Sequence, residues 1–431
     1  MKKLIVIVAM MALLTVSIAA QEAEERVCDL QPPSEAVQVT MIGGSFPLTD
    51  FYAAEIESCN QVENVDINTQ MLPSADAQSE VRLAASGTGA SPYDIIHGSN
   101  AFIGEMASQG YLLPLNDLIE KYSEEYDLSD MSDALYASAA IDGNIYGIPI
   151  IVNTQHFYYN TAILEEAGVE PPTTYEELVE VCNAMDTDAL DIDFAFGWVV
   201  SAGWAWQIEW VNVFNALGGE LLDENNMPTF NNETGVAAAE LMMNVIDACM
   251  GEDGLLLSTD DLQAGLANGS IAMGHMWASR AAMMDDEELS DVVGLIEFAP
   301  ALYPNAETTI RGGISWSDYL AIPATSEVDP DLTFRIIMEA ADLDSQIAGT
   351  AFGLVPRAAA EEAAPRYSPA ALQTIAEGGP GTSNPAQAVL NTALGQFLPM
   401  IATGEMTPAE ALDAAAALYV EEATAQGFIT E

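Results

Sequence analysis

The sequence predicts an α/β fold, and three observations carry that expectation. Val37-Gln38-Val39-Thr40-Met41-Ile42 alternates like a strand and ends at Gly43-Gly44-Ser45, a helix is expected over 50–60, and Val65-Asp66-Ile67-Asn68 alternates again. Such a βαβ opening argues for a parallel sheet with helices on its faces and a ligand crevice at the carboxyl ends of its strands. In addition, half of the 431 residues are hydrophobic and the mean hydropathy is +0.17. A chain of this size and apolar content can bury the cores of two or three domains, whereas a disordered acidic chain lacks the means.

The chain opens with Lys2 and Lys3 ahead of an apolar run that ends in Ser17-Ile18-Ala19-Ala20 and meets polar Gln21-Glu22. That pattern reads as a cleavable secretory signal over 1–20, too short and wrongly flanked for a membrane anchor. Export brings cysteine pairing within reach. Cys28, Cys59, Cys182 and Cys249 allow three connectivities, and their order along the chain favours Cys28 with Cys59 and Cys182 with Cys249. Zinc would want closer pairs of cysteines. The charged Glu25-Arg26-Val27 before Cys28 does not suit a lipidation site, so a soluble periplasmic protein is expected.

Acidic residues number 66 against 10 Lys plus Arg, giving a formal charge of -56. Nucleic acid and anionic membrane surfaces need a cationic patch that this composition cannot easily supply. Carboxylates at this density repel over a Debye length of about 8 Å at physiological salt and about 3 Å at 1 M, which points to a saline environment.

Beyond the opening unit, a helix is expected around 77–85 and a strand at Tyr93-Asp94-Ile95-Ile96, turning at His97-Gly98-Ser99-Asn100. Gly87-Thr88-Gly89 lies between a helix and a strand, the reverse of the order a dinucleotide loop requires. Further on, Asn160 is placed to cap a helix ending at Gly168, and Thr174 with Glu177 forms an expected capping box. Trp206, Trp210, Val213, Phe214 and Leu217 share one helical face and read as core.

Several stretches occur in a telling order. They are Tyr146-Gly147-Ile148-Pro149, Tyr158-Tyr159-Asn160, Pro171-Pro172-Thr173-Thr174-Tyr175-Glu176-Glu177-Leu178, Gly269-Ser270-Ile271-Ala272-Met273 with Trp277, Gly312-Gly313-Ile314-Ser315-Trp316 and Gly353-Leu354-Val355-Pro356-Arg357. In this ordered set the chain resembles the family 1 extracellular solute-binding proteins of ABC importers, the maltose-binding-like group of carbohydrate uptake. The resemblance covers residues 37–420. It implies a two-lobed periplasmic-binding-protein fold of the class II type with a ligand cleft between the lobes. By analogy the N-terminal lobe takes 36–152 plus 317–354, and the C-terminal lobe 153–316 plus 355–431. It also implies a monomer that presents a neutral sugar, sugar alcohol or oligosaccharide to permease subunits in the inner membrane, without a cofactor, a metal or catalysis.

Sugars offer hydroxyls to polar groups and flat C–H faces to aromatic rings, so their sites are aromatic floors edged with polar side chains. All six tryptophans lie between 198 and 316. Trp204, at an expected helix start, and Trp206, Trp277 and Trp316 are the candidate floor, while Trp198 reads as core. Gly312 and Gly313 would let backbone N–H groups approach a ligand. Ser45, His97 and Asn100 stand at strand ends of the first lobe, Tyr158 near the hinge, and Arg357 in the Gly-Leu-Val-Pro-Arg stretch. Arg311 and Asp318, near the Gly-Gly turn, are polar candidates comparable to Arg357, and His156 and His275 are further ones.

No zinc-helix, nucleophile-elbow or phosphate-loop motif appears. Asp186, Asp188, Asp191 and Asp193 depart from the spacing of a calcium loop and read as a solvated turn. The remaining alternatives are a binding protein for a polyamine or a glycerol-phosphate type of solute, and a secreted glycan-acting enzyme with a carboxylate pair across its cleft.

Overall fold

The computed structural model describes residues 28–379, 384 and 386–429, so the expected signal over 1–20 lies outside the described residues. The strands of four or more residues are β1 (Val37–Gly44), β2 (Val65–Leu72), β3 (Ile95–Ser99), β4 (Ile148–Asn153), β5 (Gln155–Asn160), β6 (Phe194–Gly197), β7 (Ile271–Trp277), β8 (Ile296–Ala299), β9 (Arg311–Ile314) and β10 (Trp316–Ala321). One sheet has the order β2-β1-β3-β10-β4, another β8-β5-β7-β6, and β9 pairs with Gly378–Gly379 in a small ribbon, so the fold is the expected two-lobed α/β architecture. In the first sheet β1 is parallel to β2 and β3, and β10 runs antiparallel to β3 and β4.

Both sheets are sandwiched by helices, and their cores are separate. Val39, Met41, Ile95, Ile148 and Ile150 pack with Phe334 and Ile337 in one cluster; Phe157, Phe196, Trp210, Met242, Leu266 and Met273 belong to the other. The chain changes sheet at Thr154, between β4 and β5, and at Ser315, between β9 and β10. A third segment joins them where the Val152 N–H donates to the Leu354 carbonyl. Thr154 Oγ1 donates to the Ile314 carbonyl at 2.9 Å, which ties the first two crossings together.

Local rules account for most element ends. Asn160 Oδ1 accepts from the N–H groups of Ala162 and Ile163, and Gly168 closes that helix with a φ of 70°. The expected capping box at Thr174 is incomplete. Thr174 accepts from the Glu177 N–H, but the Glu177 carboxylate turns back one residue further, to the N–H and hydroxyl of Thr173. The first helix, Pro47–Glu57, starts three residues earlier than expected because Pro47 presets its first turn. β3 continues through His97, Gly98 and Ser99, so His97 is a strand residue and not part of a turn.

Two disulfides form, Cys28–Cys59 and Cys182–Cys249. The second staples the helix Tyr175–Ala184 to the helix Glu233–Cys249. Glu339 lies close to the first, but both sulfurs are spent in the disulfide, so that cluster offers a metal no thiolate.

Candidate ligand-binding cleft

A cavity of about 1250 Å³ opens between the lobes where the strands of both sheets end. Alternation along β10 decides what faces it. Trp316 and Asp318 point into this cleft, whereas Ser317, between them, lines a second cavity of about 770 Å³ behind the hinge. On β4 the same rule sends Asn153 forward and Val152 back. The hinge strands therefore carry a front and a rear face.

Indole rings make the apolar wall. Trp277 and Trp316 meet edge to face with centroids 6.0 Å apart, across the junction of the two lobes. Trp204 stands in the first turn of the helix Gly203–Ala216 and is 54% exposed. That helix start is held close to the helix Gln387–Phe397, since a Cβ on Gly203 would lie 2.1 Å from the Gly395 carbonyl oxygen. Phe46 and Phe352 add further apolar lining.

Polar groups line the first-lobe floor. The Gly44 N–H donates to His97 Nδ1 at 3.3 Å, so the ring proton sits on Nε2. His97 Nε2 has no hydrogen-bond partner among the described residues and stands 4.0 Å from Asp318 Oδ2. Burial lowers the His97 pKa to about 4, which keeps the ring neutral. Burial also raises the Asp318 pKa to about 7, against the opposing hydrogen bond from the Trp316 indole. Ser45 lines the cleft while its hydroxyl donates to Asp50 at 3.0 Å.

From the other side come Ser279, Asp260 and Arg280, and Asn153 joins them from the hinge end of β4. Asn153 Nδ2 donates to Ser279 Oγ at 3.2 Å, and Arg280 is held by Gln263 and Asp260. Arg280 therefore reaches the cleft already paired.

Of the residues expected from the sequence, Ser45, His97, Trp204, Trp277 and Trp316 are brought together here. Asn100 begins the next helix and faces the rear cavity. The others lie elsewhere, each for a packing reason. Tyr158 and His156 are in the core, because β5 is an inner strand covered on both sides; the Tyr158 hydroxyl donates to the Trp277 carbonyl at 2.7 Å. Trp206 turns inward on the buried helix face, 2% exposed.

Gly312 and Gly313 serve close packing within the second lobe. A Cβ on Gly313 would meet Thr374 Cγ2 at 2.5 Å, and one on Gly312 would meet Tyr175 at 3.0 Å. Arg357 is buried on the rear side, donating to Asp130 at 2.6 Å and to the carbonyls of Tyr126, Asp127 and Ala341. Arg311 pairs with Glu377. Asn153, Asp260 and Arg280 were not among the expected residues. Asp318, a polar candidate beside the Gly-Gly turn, lies two residues from Trp316 on a strand and so shares its face.

Two sheets, short crossings between them and an aromatic cleft at their strand ends define a two-lobed solute-binding architecture. The family model for bacterial extracellular solute-binding proteins matches residues 48–329, more than half of the chain, and the chain belongs to that family.

Among relatives, a probable amino-acid ABC transporter periplasmic-binding protein of Sinorhizobium fredii is 24% identical over 189 residues, 43% of this chain and 41% of that protein's length. The fold is similar to an ABC transporter solute-binding protein of Agrobacterium radiobacter in complex with ribitol, with a TM-score of 0.76 and 18% identity over 90% of this chain and 100% of that one. It is also similar to an Agrobacterium vitis solute-binding protein with bound D-mannitol, at TM-score 0.75 and 20% identity over 90% and 99% of the two chains.

Proposed function

We propose that the cleft binds a neutral sugar, sugar alcohol or oligosaccharide, and that the protein delivers it to an ABC importer. The observation that carries this reading is the pairing of an indole wall, Trp277 with Trp316, with a floor that offers the unpartnered His97 N–H beside Asp318. Rings take the C–H faces of a polyol and the floor takes its hydroxyls. The ribitol and D-mannitol carried by the two similar structures are of this class.

Charge argues in the same direction. Lys121 and Arg82, Arg280, Arg311, Arg335, Arg357 and Arg366 are all ion-paired, so no described lysine or arginine is free to meet a phosphate or an amino-acid carboxylate. Within this proposal the lobes are 36–152 plus 317–354 and 153–316 plus 355–431, hinged at the crossings. Ligand contacts from both lobes would favour the closed state, and that state would dock on the permease. The protein acts as a monomer in the periplasm after removal of residues 1–20, and it releases its ligand unchanged.

Isothermal titration against maltose, D-mannitol, ribitol, putrescine and L-glutamate tests the ligand class. The expected result is saturable 1:1 binding of a neutral member at micromolar affinity, about -8 kcal/mol. Binding of putrescine or glutamate alone would overturn it, and turnover of a glycoside would overturn the reading as a binding protein.

A further inference from the structure

The separation of His97 and Asp318 is informative because it is neither a contact nor a gap. At 4.0 Å, Nε2 and Oδ2 are too far apart to hydrogen-bond to each other. Both groups are more than nine-tenths buried, both line the cleft, and His97 Nε2 lacks a partner. An oxygen placed about 2.8 Å from each would subtend an angle of about 90°, close to what an sp³ hydroxyl accommodates.

We propose that one ligand hydroxyl sits between these two side chains, accepting from His97 Nε2–H and donating to Asp318, and that ionised Asp318 is the form that binds. This inference deepens the proposed function and rests on it. It names the device by which the site tells its substrate class from others. An ammonium can donate to Asp318 but has no lone pair for Nε2–H. An ionised phosphate oxygen can accept from Nε2–H but has no proton to donate to Asp318 and meets its like charge. A hydroxyl does both, so the pair selects a neutral polyhydroxylated solute over a polyamine and over an organic phosphate.

Proton linkage follows from the surroundings of Asp318. On its own strand the neighbours are Trp316, which donates to it, and Tyr319, whose phenol burial pushes up to about 12. β3 contributes Ser99 directly opposite and His97, neutral above about pH 4, and β4 contributes apolar Ile151 opposite. Across the cleft the charged lining residues are Arg280 and Asp260, which pair with each other. Asp50, by the floor, is engaged by Ser45. Between pH 6 and 8.5, then, Asp318 is the group of this set poised to change charge, with its pKa raised to about 7.

Before binding, Asp318 is mostly protonated at pH 6; after binding it is ionised, so the complex releases a proton. Apparent affinity scales with the competent fraction and should fall roughly tenfold from pH 8 to pH 6.

The test is titration of the intact protein with D-mannitol and with maltose at pH 6 and pH 8, each in two buffers of different ionisation enthalpy. Wild type should release close to one proton per ligand at pH 6 and little at pH 8. Asp318→Asn should bind roughly tenfold or more weakly at pH 8 and show neither proton release nor pH dependence, with its melting temperature recorded as a check on folding. Neutral-solute binding with equal affinity at both pH values and no proton release in wild type would overturn the inference while leaving the proposed function standing. Absence of binding by either neutral solute at both pH values would overturn both.

Discussion

Each lobe assembles the same trio of side chains, an indole beside a carboxylate beside a histidine, and the two trios differ in what is left over. In the second lobe Glu209 is saturated. His275 Nδ1 lies 3.0 Å from it, Trp198 Nε1 and Gln155 Nε2 donate to it, and Asn212 in turn donates to Gln155. Glu209 and His275 are each 1% exposed and neither lines the cleft; His275 Nε2 has no partner among the described residues but lines neither cavity. In the first lobe, Trp316, Asp318 and His97 line the cleft with a 4.0 Å opening between donor and acceptor. Burial alone does not mark a binding group. A donor left unused beside a carboxylate, both lining one cavity, does.

The largest effect expected from breaking this comparison is in the saturated trio. Glu209→Ala strands the Trp198 and Gln155 donors beside His275 in the buried core, and should cost about 3–5 kcal/mol, read as a fall in the urea midpoint. A loss below about 1 kcal/mol would show that the network is not holding the second lobe together.

Asp318 should behave in the opposite way. Its pKa is about 7 in the fold against roughly 3.9 unfolded, so between pH 4 and 7 the folded protein holds more protons than the unfolded chain. Its contribution to stability is therefore lost as pH rises through that window, by roughly 2–4 kcal/mol in total. Comparing urea midpoints at pH 5 and pH 8, Asp318→Asn should decline less steeply than wild type, and parallel declines would contradict the assignment.

Salt should have a smaller effect and act on neither trio, because their carboxylates and histidines are buried and poorly screened. Acidic runs such as Asp285-Asp286-Glu287-Glu288 are solvent-exposed. Lowering salt from 1 M to 0.05 M should reduce the melting temperature by roughly 5 °C through surface repulsion, and an unchanged value would remove the saline reading of the -56 charge.

Much of the fold was legible because it rests on local rules. Alternation gave β1 and β2, Asn160 and Gly168 bracket a helix as their chemistry requires, and the face shared by Trp206, Trp210 and Phe214 is buried as its spacing implies. The site was legible where a residue projects from a strand or helix end, as with His97, Trp204 and Trp277. It was not legible where a tertiary neighbour decides the matter. Tyr158 is consumed by an inner strand, Gly313 by Thr374, and Arg357 by Asp130 and the carbonyls of 126–127, all remote in sequence. Arg280 and Asn153 enter the cleft through a lobe arrangement that no local pattern encodes.

The central claim is that the front cleft, walled by Trp277 and Trp316, takes a neutral polyhydroxylated solute. Indole emission of the intact protein, followed during titration with D-mannitol, ribitol and maltose at pH 8, tests it most directly, because three of the six tryptophans line that cleft. A saturable change with 1:1 stoichiometry for at least one of these solutes, diminished in Trp316→Phe, is the predicted result. Emission unchanged by all three, or altered only by putrescine, would contradict it.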